Sequence, residues 1–227
     1  MTDERRTRLS PDERRAQLVA IGVAALADRS LDELTIDVIS QQAGVSRGLL
    51  FYYFGSKQGF HREVVRAARD GLLRATEPVL ELSPLERLHD TLSNLVAFVR
   101  EHEDTFFSLV RGAASGDRQV REVVEQARAL QCERVEIVCR ELGVPDTALL
   151  RVGLRSWVAF AEQALVDGVL GGRMSPDEAV DFLERSLVAV VVTVDPEQGA
   201  RLGDALRSAV VESPAQTPDA GLVPGLA

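Results

Sequence analysis

Four short signals fix where this chain can begin a helix. Ser10-Pro11-Asp12-Glu13, Ser83-Pro84-Leu85-Glu86 and Ser175-Pro176-Asp177-Glu178 share one pattern, and Asp195-Pro196-Glu197 is a shorter version of it. The Ser or Asp side chain caps free N–H groups, and proline fits the first helical position, where an N–H would have no partner anyway. A Glu three residues after the cap reaches back to the cap's own N–H. Between these starts apolar residues recur at helical spacing, and strand patterns are scarce. Gly143 and Gly171-Gly172 stand where helices should stop. The chain therefore reads as all-α. A first helix runs from Pro11 to about Ala27, and others cover about 35–43, 46–53, 57–80, 85–101, 103–114, 117–142, 147–170, 176–194 and 196–211.

At 227 residues, 45% of them hydrophobic, the chain can bury a real core. Its apolar runs, such as Leu187–Val194, fall short of the roughly 18 residues a membrane span needs, and Met1–Leu9 lacks a signal-peptide core. A cytoplasmic protein with no membrane partner is the expectation. The net charge of −9, taken as a sum, opposes a nucleic-acid partner. Residues 1–60, however, hold eight basic and eight acidic side chains, so the whole excess lies beyond them. A neutral first segment can still present a basic face to DNA.

Several chemistries are unsupported. His61, His89 and His102 have no metal-binding spacing, and solvated or capping roles suit them better. Phosphate loops, nucleophile elbows and Cys/His nucleophile spacings do not appear, so neither an enzyme nor a cofactor is expected. Cys132 and Cys139 sit two helical turns apart, about 10 Å, which is too far for a disulfide on one helix; small buried hydrophobes are the expected role.

The informative stretch is residues 35–57. Thr35 can cap one short helix, whose stripe is Ile36, Ile39 and Ala43; Gly44 permits a sharp turn, and Ser46 caps a second helix. Two short helices joined through a glycine turn are the helix-turn-helix geometry, which offers its second helix to the major groove. Leu50 and Phe54 are expected inward, with Phe51 also in the core. Arg47, Gly48, Leu49, Tyr52 and Tyr53 are left for the outside. Arg47 can donate two bonds to guanine or to a phosphate, and Gly48 removes bulk. The tyrosines offer hydroxyls and ring faces, and Lys57 opens the next helix, where a phosphate can sit.

Ala43-Gly44-Val45-Ser46-Arg47-Gly48 followed by Phe51-Tyr52-Tyr53-Phe54-Gly55-Ser56-Lys57-Gln58-Gly59 resembles the TetR family of repressors. The motif covers about residues 14–62, and the helix pattern resembles the family over the whole chain. Ser40 departs from the Ala usual there. The resemblance implies a three-helix DNA-binding domain and a larger helical domain for ligand binding and dimerisation. On this chain that gives an arm over 1–9, a helix-turn-helix domain over 10–56, a sensor domain over 57–211 and a disordered tail over 212–227. It implies that Thr35, Ser46, Gly48, Tyr53 and Lys57 contact phosphates or position the recognition helix, and that Arg47, Leu49 and Tyr52 read bases.

The sensor half is nearly aliphatic in places. Helices apolar on more than one face are expected where a core and a subunit interface share them, so 147–170 and 176–194 are the expected homodimer interface. Phe98, His102, Phe106, Gln131, Trp157 and Phe160 are candidates to line a cavity, whose apolar character favours a lipophilic small molecule. The expected function is a ligand-responsive repressor on double-stranded, palindromic operator DNA. Two alternatives are a helical protein-interaction module and an all-α enzyme with no DNA role.

Overall fold

The computed structural model describes residues 9–26, 28–112 and 117–212; within them lie ten α-helices and no strand. In chain order these are α1 (Pro11–Ala25), α2 (Ile36–Ala43), α3 (Arg47–Phe54), α4 (Lys57–Ala75), α5 (Pro84–Glu101), α6 (Glu103–Gly112), α7 (Arg118–Glu141), α8 (Ala148–Ala164), α9 (Pro176–Val194) and α10 (Pro196–Glu212). Most of the expected arm and tail, 1–8 and 213–227, lies outside the described residues.

Each proline-bearing signal opens a helix. The Ser10 hydroxyl accepts from the Glu13 N–H at 3.2 Å, and the Glu13 carboxylate accepts from the Ser10 N–H at 2.7 Å. Ser175 and Glu178 repeat this reciprocal pair at α9. Glu86 accepts from the N–H and hydroxyl of Ser83 at α5, and Asp195 accepts from the Gln198 N–H at α10. A related pair, Ser30 and Glu33, closes a 3₁₀ turn over Leu31–Glu33 that the sequence patterns do not show, because it lacks both the proline and the apolar periodicity.

Two boundaries differ from expectation. The helix read as 57–80 stops at Ala75. There the Thr76 hydroxyl donates to the Leu72 carbonyl at 2.9 Å, and Pro78 disfavours helical geometry at Glu77. After Ala164 the helix widens into a π turn over Leu165–Leu170, which carries it to the glycine pair.

The apolar faces meet in connected cores. Leu18, Leu26, Leu34, Ile39, Leu50 and Phe54 form the first, with Phe60 and Val64 from the start of α4. The later half of α4 gives Val65, Ala68 and Leu72 to a second cluster with Phe98 of α5, Leu109 of α6 and Val120, Val123 and Val124 of α7. The largest core joins α5, α7, α8, α9 and Leu202 of α10. One helix thus belongs to both halves of the molecule. Cys132 and Cys139 are buried and unpaired, as expected, and burial pushes the Cys139 thiol up to about 11, so little reactive thiolate forms near neutrality.

The α3–α4 junction has no slack. A Cβ on Gly59 would lie 2.1 Å from the Phe54 carbonyl oxygen, a backbone atom that cannot step aside. Gly59→Ala is expected to lower unfolding stability by about 1–3 kcal/mol. Urea denaturation reads this directly, and an unchanged midpoint would show that the junction can relax.

Candidate nucleic-acid interface and sensor cavity

The two short helices of the first domain are set by their caps. The Thr35 hydroxyl accepts from the Val38 N–H at 3.2 Å to start α2, and the Ser46 hydroxyl accepts from the Leu49 N–H at 3.3 Å to start α3. Between them Gly44 takes φ 63°, a left-handed conformation that glycine adopts without a Cβ clash. Ser40, the departure from the family pattern, satisfies its hydroxyl on the Asp37 carbonyl.

Leu50 and Phe54 face inward, and the Phe54 ring meets Phe60 edge-on at 5.0 Å. With those positions inward, Gly48, Phe51 and Tyr52 share the opposite side. Tyr52 is 78% exposed and Phe51 47%, so Phe51 is not the core residue expected of it. An eight-residue helix whose inward positions are 50 and 54 turns position 51 about 100° away from Leu50. Tyr53 also differs from expectation: it is half-buried against the first core, with its ring 5.2 Å from that of Tyr52. Leu49 is half-buried, while Arg47 and Gly48 are exposed.

Two polar contacts and two helix starts shape this surface. Arg47 pairs with Asp37 across the two helices, with both side chains mostly exposed. Such a pair is worth at most about 1 kcal/mol, so a better acceptor can take the guanidinium. The Lys57 ammonium donates to the Asp32 carbonyl at 2.9 Å, which ties α4 to the 3₁₀ turn. The first turns of α3 and α4 hold no acidic residue, so their positive dipole ends are not neutralised on this face.

His61 explains how the pair is fixed to α4. Its Nε2–H donates to the Leu34 carbonyl at 2.7 Å, just ahead of α2. Of the two roles expected, solvated or capping, it takes the second: it is buried between α4 and this loop and bonds the residue that closes the 3₁₀ turn. Burial pushes its pKa below the ordinary imidazole value, only partly offset by the bond to Leu34. The fold therefore holds the neutral ring, and the unfolded chain takes up the proton first. The stability this confers is complete above about pH 6.5 and declines as pH falls below it toward the lower folded pKa. Denaturation at pH 7.5 and 5.5 should show a larger acid loss for the native protein than for His61→Gln. Equal losses would remove His61 from the pH dependence.

The second domain encloses a cavity of about 110 Å³ among α4, α5, α7 and α8. Of the six candidates, Phe106, Gln131 and Trp157 line it. The other three lie outside that lining. Phe98 points into the cluster shared with α4 and α6, and His102 closes α5 with its ring 4.7 Å from that of Phe98. Phe160 is exposed, 5.6 Å from Phe182 on the outer face of α8 and α9. A 17-residue helix lined by Leu154, Trp157, Val158 and Ala161 inward has no room to turn Phe160 the same way. The lining also includes the polar groups Thr76, Arg87, Thr91, Arg134 and Glu162, none of them among the candidates. An arginine beside the apolar stripe Leu88, Leu92 and Leu95 was the available signal.

Residues 18–64 match the family model of bacterial regulatory proteins, tetR family, and residues 84–190 match the tetracyclin repressor-like C-terminal domain. The chain belongs to the TetR family. Among curated relatives, it is 28% identical over 119 residues to the uncharacterized HTH-type transcriptional regulator YxbF of Bacillus subtilis, covering 51% of this chain and 31% of that one. It is 35% identical over 80 residues to the HTH-type transcriptional repressor KstR2 of Mycolicibacterium smegmatis, covering 34% of this chain and 39% of the relative. The chain thus spans well under half the length of these relatives. A crystal structure of a TetR-family transcriptional regulator from Streptomyces coelicolor is 26% identical, covers 92% of this chain and 94% of its own, and superposes with a TM-score of 0.70.

As a TetR-family protein the chain carries the helix-turn-helix segment of a family of bacterial regulatory proteins. Its two matched segments coincide with the first core and the main bundle. Among the described residues there is no group of three His, Cys, Asp or Glu side chains that could hold a metal ion, and no helix long and apolar enough to cross a membrane.

Proposed function

We propose that the protein is a ligand-responsive repressor that binds a palindromic operator as a homodimer and leaves it when a small, largely apolar effector enters the cavity. One observation carries the coupling. α4 is a single 19-residue helix, about 28 Å long. Phe60 and Val64 near its start lie in the core that carries α2 and α3, while Leu72 and the terminating Thr76 line the cavity. A displacement at one end therefore moves the other. Thr35, Ser46, Gly48, Tyr53 and Lys57 hold phosphates or position α3, and Arg47, Leu49 and Tyr52 read bases. Phe106, Gln131 and Trp157 touch the effector. The effector acts by favouring the conformation whose recognition helices do not fit the operator.

The dimer reading is supported by an apolar outer face. Leu149, Val152 and Phe160 lie three to eight residues apart on one side of α8, Phe182 of α9 lies against Phe160, and all four are exposed in the single chain. Two recognition helices about one DNA turn apart then read a palindrome. A gel shift on DNA flanking the gene, at two salt concentrations, tests the proposal. Binding to a palindrome that weakens steeply with salt is expected. Salt-insensitive binding, or none, would overturn it.

A further inference from the structure

The effector cavity is apolar over most of its wall but includes Arg87, Arg134 and Glu162, and two of these charges have incomplete partners. Arg87, in the first turn of α5, is 7% exposed. Its terminal nitrogens pair with Glu141, yet its Nε–H is buried without any hydrogen-bond acceptor among the described residues. Burying such a donor is costly unless something accepts from it. Arg134, on the cavity side of α7, donates to the Thr76 carbonyl at 2.7 Å, the Thr76 hydroxyl at 3.0 Å and the Leu73 carbonyl at 3.1 Å. These acceptors are neutral. No carboxylate lies within ion-pair distance of Arg134 among the described residues, and Glu77 acts on it only through space. The third charge in the wall, Glu162, is matched by Arg128.

The formal sum is simple. Arg87 is balanced by Glu141 and Glu162 by Arg128, which leaves Arg134 as one positive charge in the wall with no paired anion. Arg134 and Glu141 are seven residues apart on α7, and so on the same face. Arg87 is held at the far end of that face by Glu141. Both arginines line the one cavity, together with Pro78 and Leu80 of the α4–α5 connection.

We infer that the cavity takes a monocarboxylate with a small apolar body, its carboxylate held between Arg87 and Arg134. This deepens the effector reading above and rests on it. A carboxylate supplies a single negative charge and a planar pair of acceptors suited to guanidinium donors. A phosphate monoester, nearly doubly charged at neutral pH, would overshoot the one charge available. The space of about 110 Å³ approaches the roughly 150 Å³ of a dry cavity that accepts benzene, which sets the body at the size of one ring or a short branched chain. The binding also has a consequence for α4. Arg134 caps the last carbonyls of α4, and a ligand carboxylate competes with them for the same guanidinium, loosening the helix that reaches the DNA-binding core.

The chain supplies its own reporter, because Trp157 is its one tryptophan and lines the cavity. The test titrates the full chain with benzoate, benzyl alcohol and phenylphosphonate while following Trp157 emission. Benzoate should bind about tenfold tighter than benzyl alcohol, the margin between a charge-assisted and a neutral hydrogen bond. Arg87→Met and, separately, Arg134→Met should abolish that margin while leaving benzyl alcohol affinity in place, which also shows that each variant is folded. Equal affinity for benzoate and benzyl alcohol, tighter binding of phenylphosphonate, or a margin that survives both substitutions overturns the carboxylate assignment and leaves the cavity reading standing. No emission change with any of the three probes overturns the cavity reading itself.

Discussion

Replacing Arg47 with alanine should cost the specific operator complex about 1–3 kcal/mol, or about 5- to 150-fold in affinity, and flatten sequence preference at one base pair per half-site. The argument starts from where the side chain stands. Arg47 is the first residue of α3, exposed, and restrained only by Asp37 on α2. That restraint is weak, but it keeps the guanidinium extended over the helix pair instead of sampling all its rotamers. Exchanging Asp37 for a base edge replaces one charged partner by two aligned acceptors. Lys57→Ala should behave differently. Lys57 is bound to a backbone carbonyl and in the proposed complex holds a phosphate, so its loss should weaken all sequences alike and lower the salt dependence by about one unit. Fluorescence anisotropy on an operator and its single-base variants separates the two. If Arg47→Ala weakens every sequence equally, Arg47 is a phosphate contact and the base-reading assignment is wrong.

Asp37 provides the control within that experiment. Asp37→Asn frees Arg47 and removes a negative charge from the proposed DNA-facing surface, so binding to non-specific DNA should rise modestly. The same substitution leaves the cap of α2 in place, since the cap is the Thr35 hydroxyl.

The helices were legible in the sequence because their ends are local. A serine, a proline and a glutamate three residues on contain the whole instruction, and the three such sites, like the shorter Asp195-Pro196 start, open helices as read. The helix pair of the candidate DNA-binding site was legible for the same reason: Thr35, Gly44 and Ser46 fix α2 and α3 within twelve residues. Side-chain direction was harder. Phe51 looks like core by composition, and only the rotation set by Leu50 and Phe54 turns it outward. Tyr53 looks like surface by its hydroxyl, yet its ring finds the edge of the first core. The cavity was the least legible feature, because it depends on contacts distant in sequence. Gln131 and Arg134 reach Thr76 across more than fifty positions. Aromatic residues were a reasonable guide to the wall, and half of the candidates lie on it. The charged part of the wall followed no local pattern beyond an arginine beside an apolar stripe.

A charge placed on the outer face of α8 should separate the subunits and, through them, remove operator binding. Val152 and Phe160 are 63% and 43% exposed in the single chain, lie on one side of α8, and make no essential contribution to the core beneath, which uses Leu150, Leu154, Trp157 and Val158. In the proposed dimer both would be enclosed by a second copy. Val152→Glu with Phe160→Glu would then bring four carboxylates into one two-fold interface, unpaired and close to one another. In the monomer the same side chains point into water and cost little. Circular dichroism should therefore be unchanged, while the mass in solution falls from twice to once the 24.7 kDa of one chain. Operator affinity should fall by about 10²- to 10⁴-fold, because one recognition helix no longer raises the effective concentration of the other. The two readouts are independent. A variant that stays dimeric places the interface elsewhere, and a monomer that keeps full operator affinity means the operator is read by single chains.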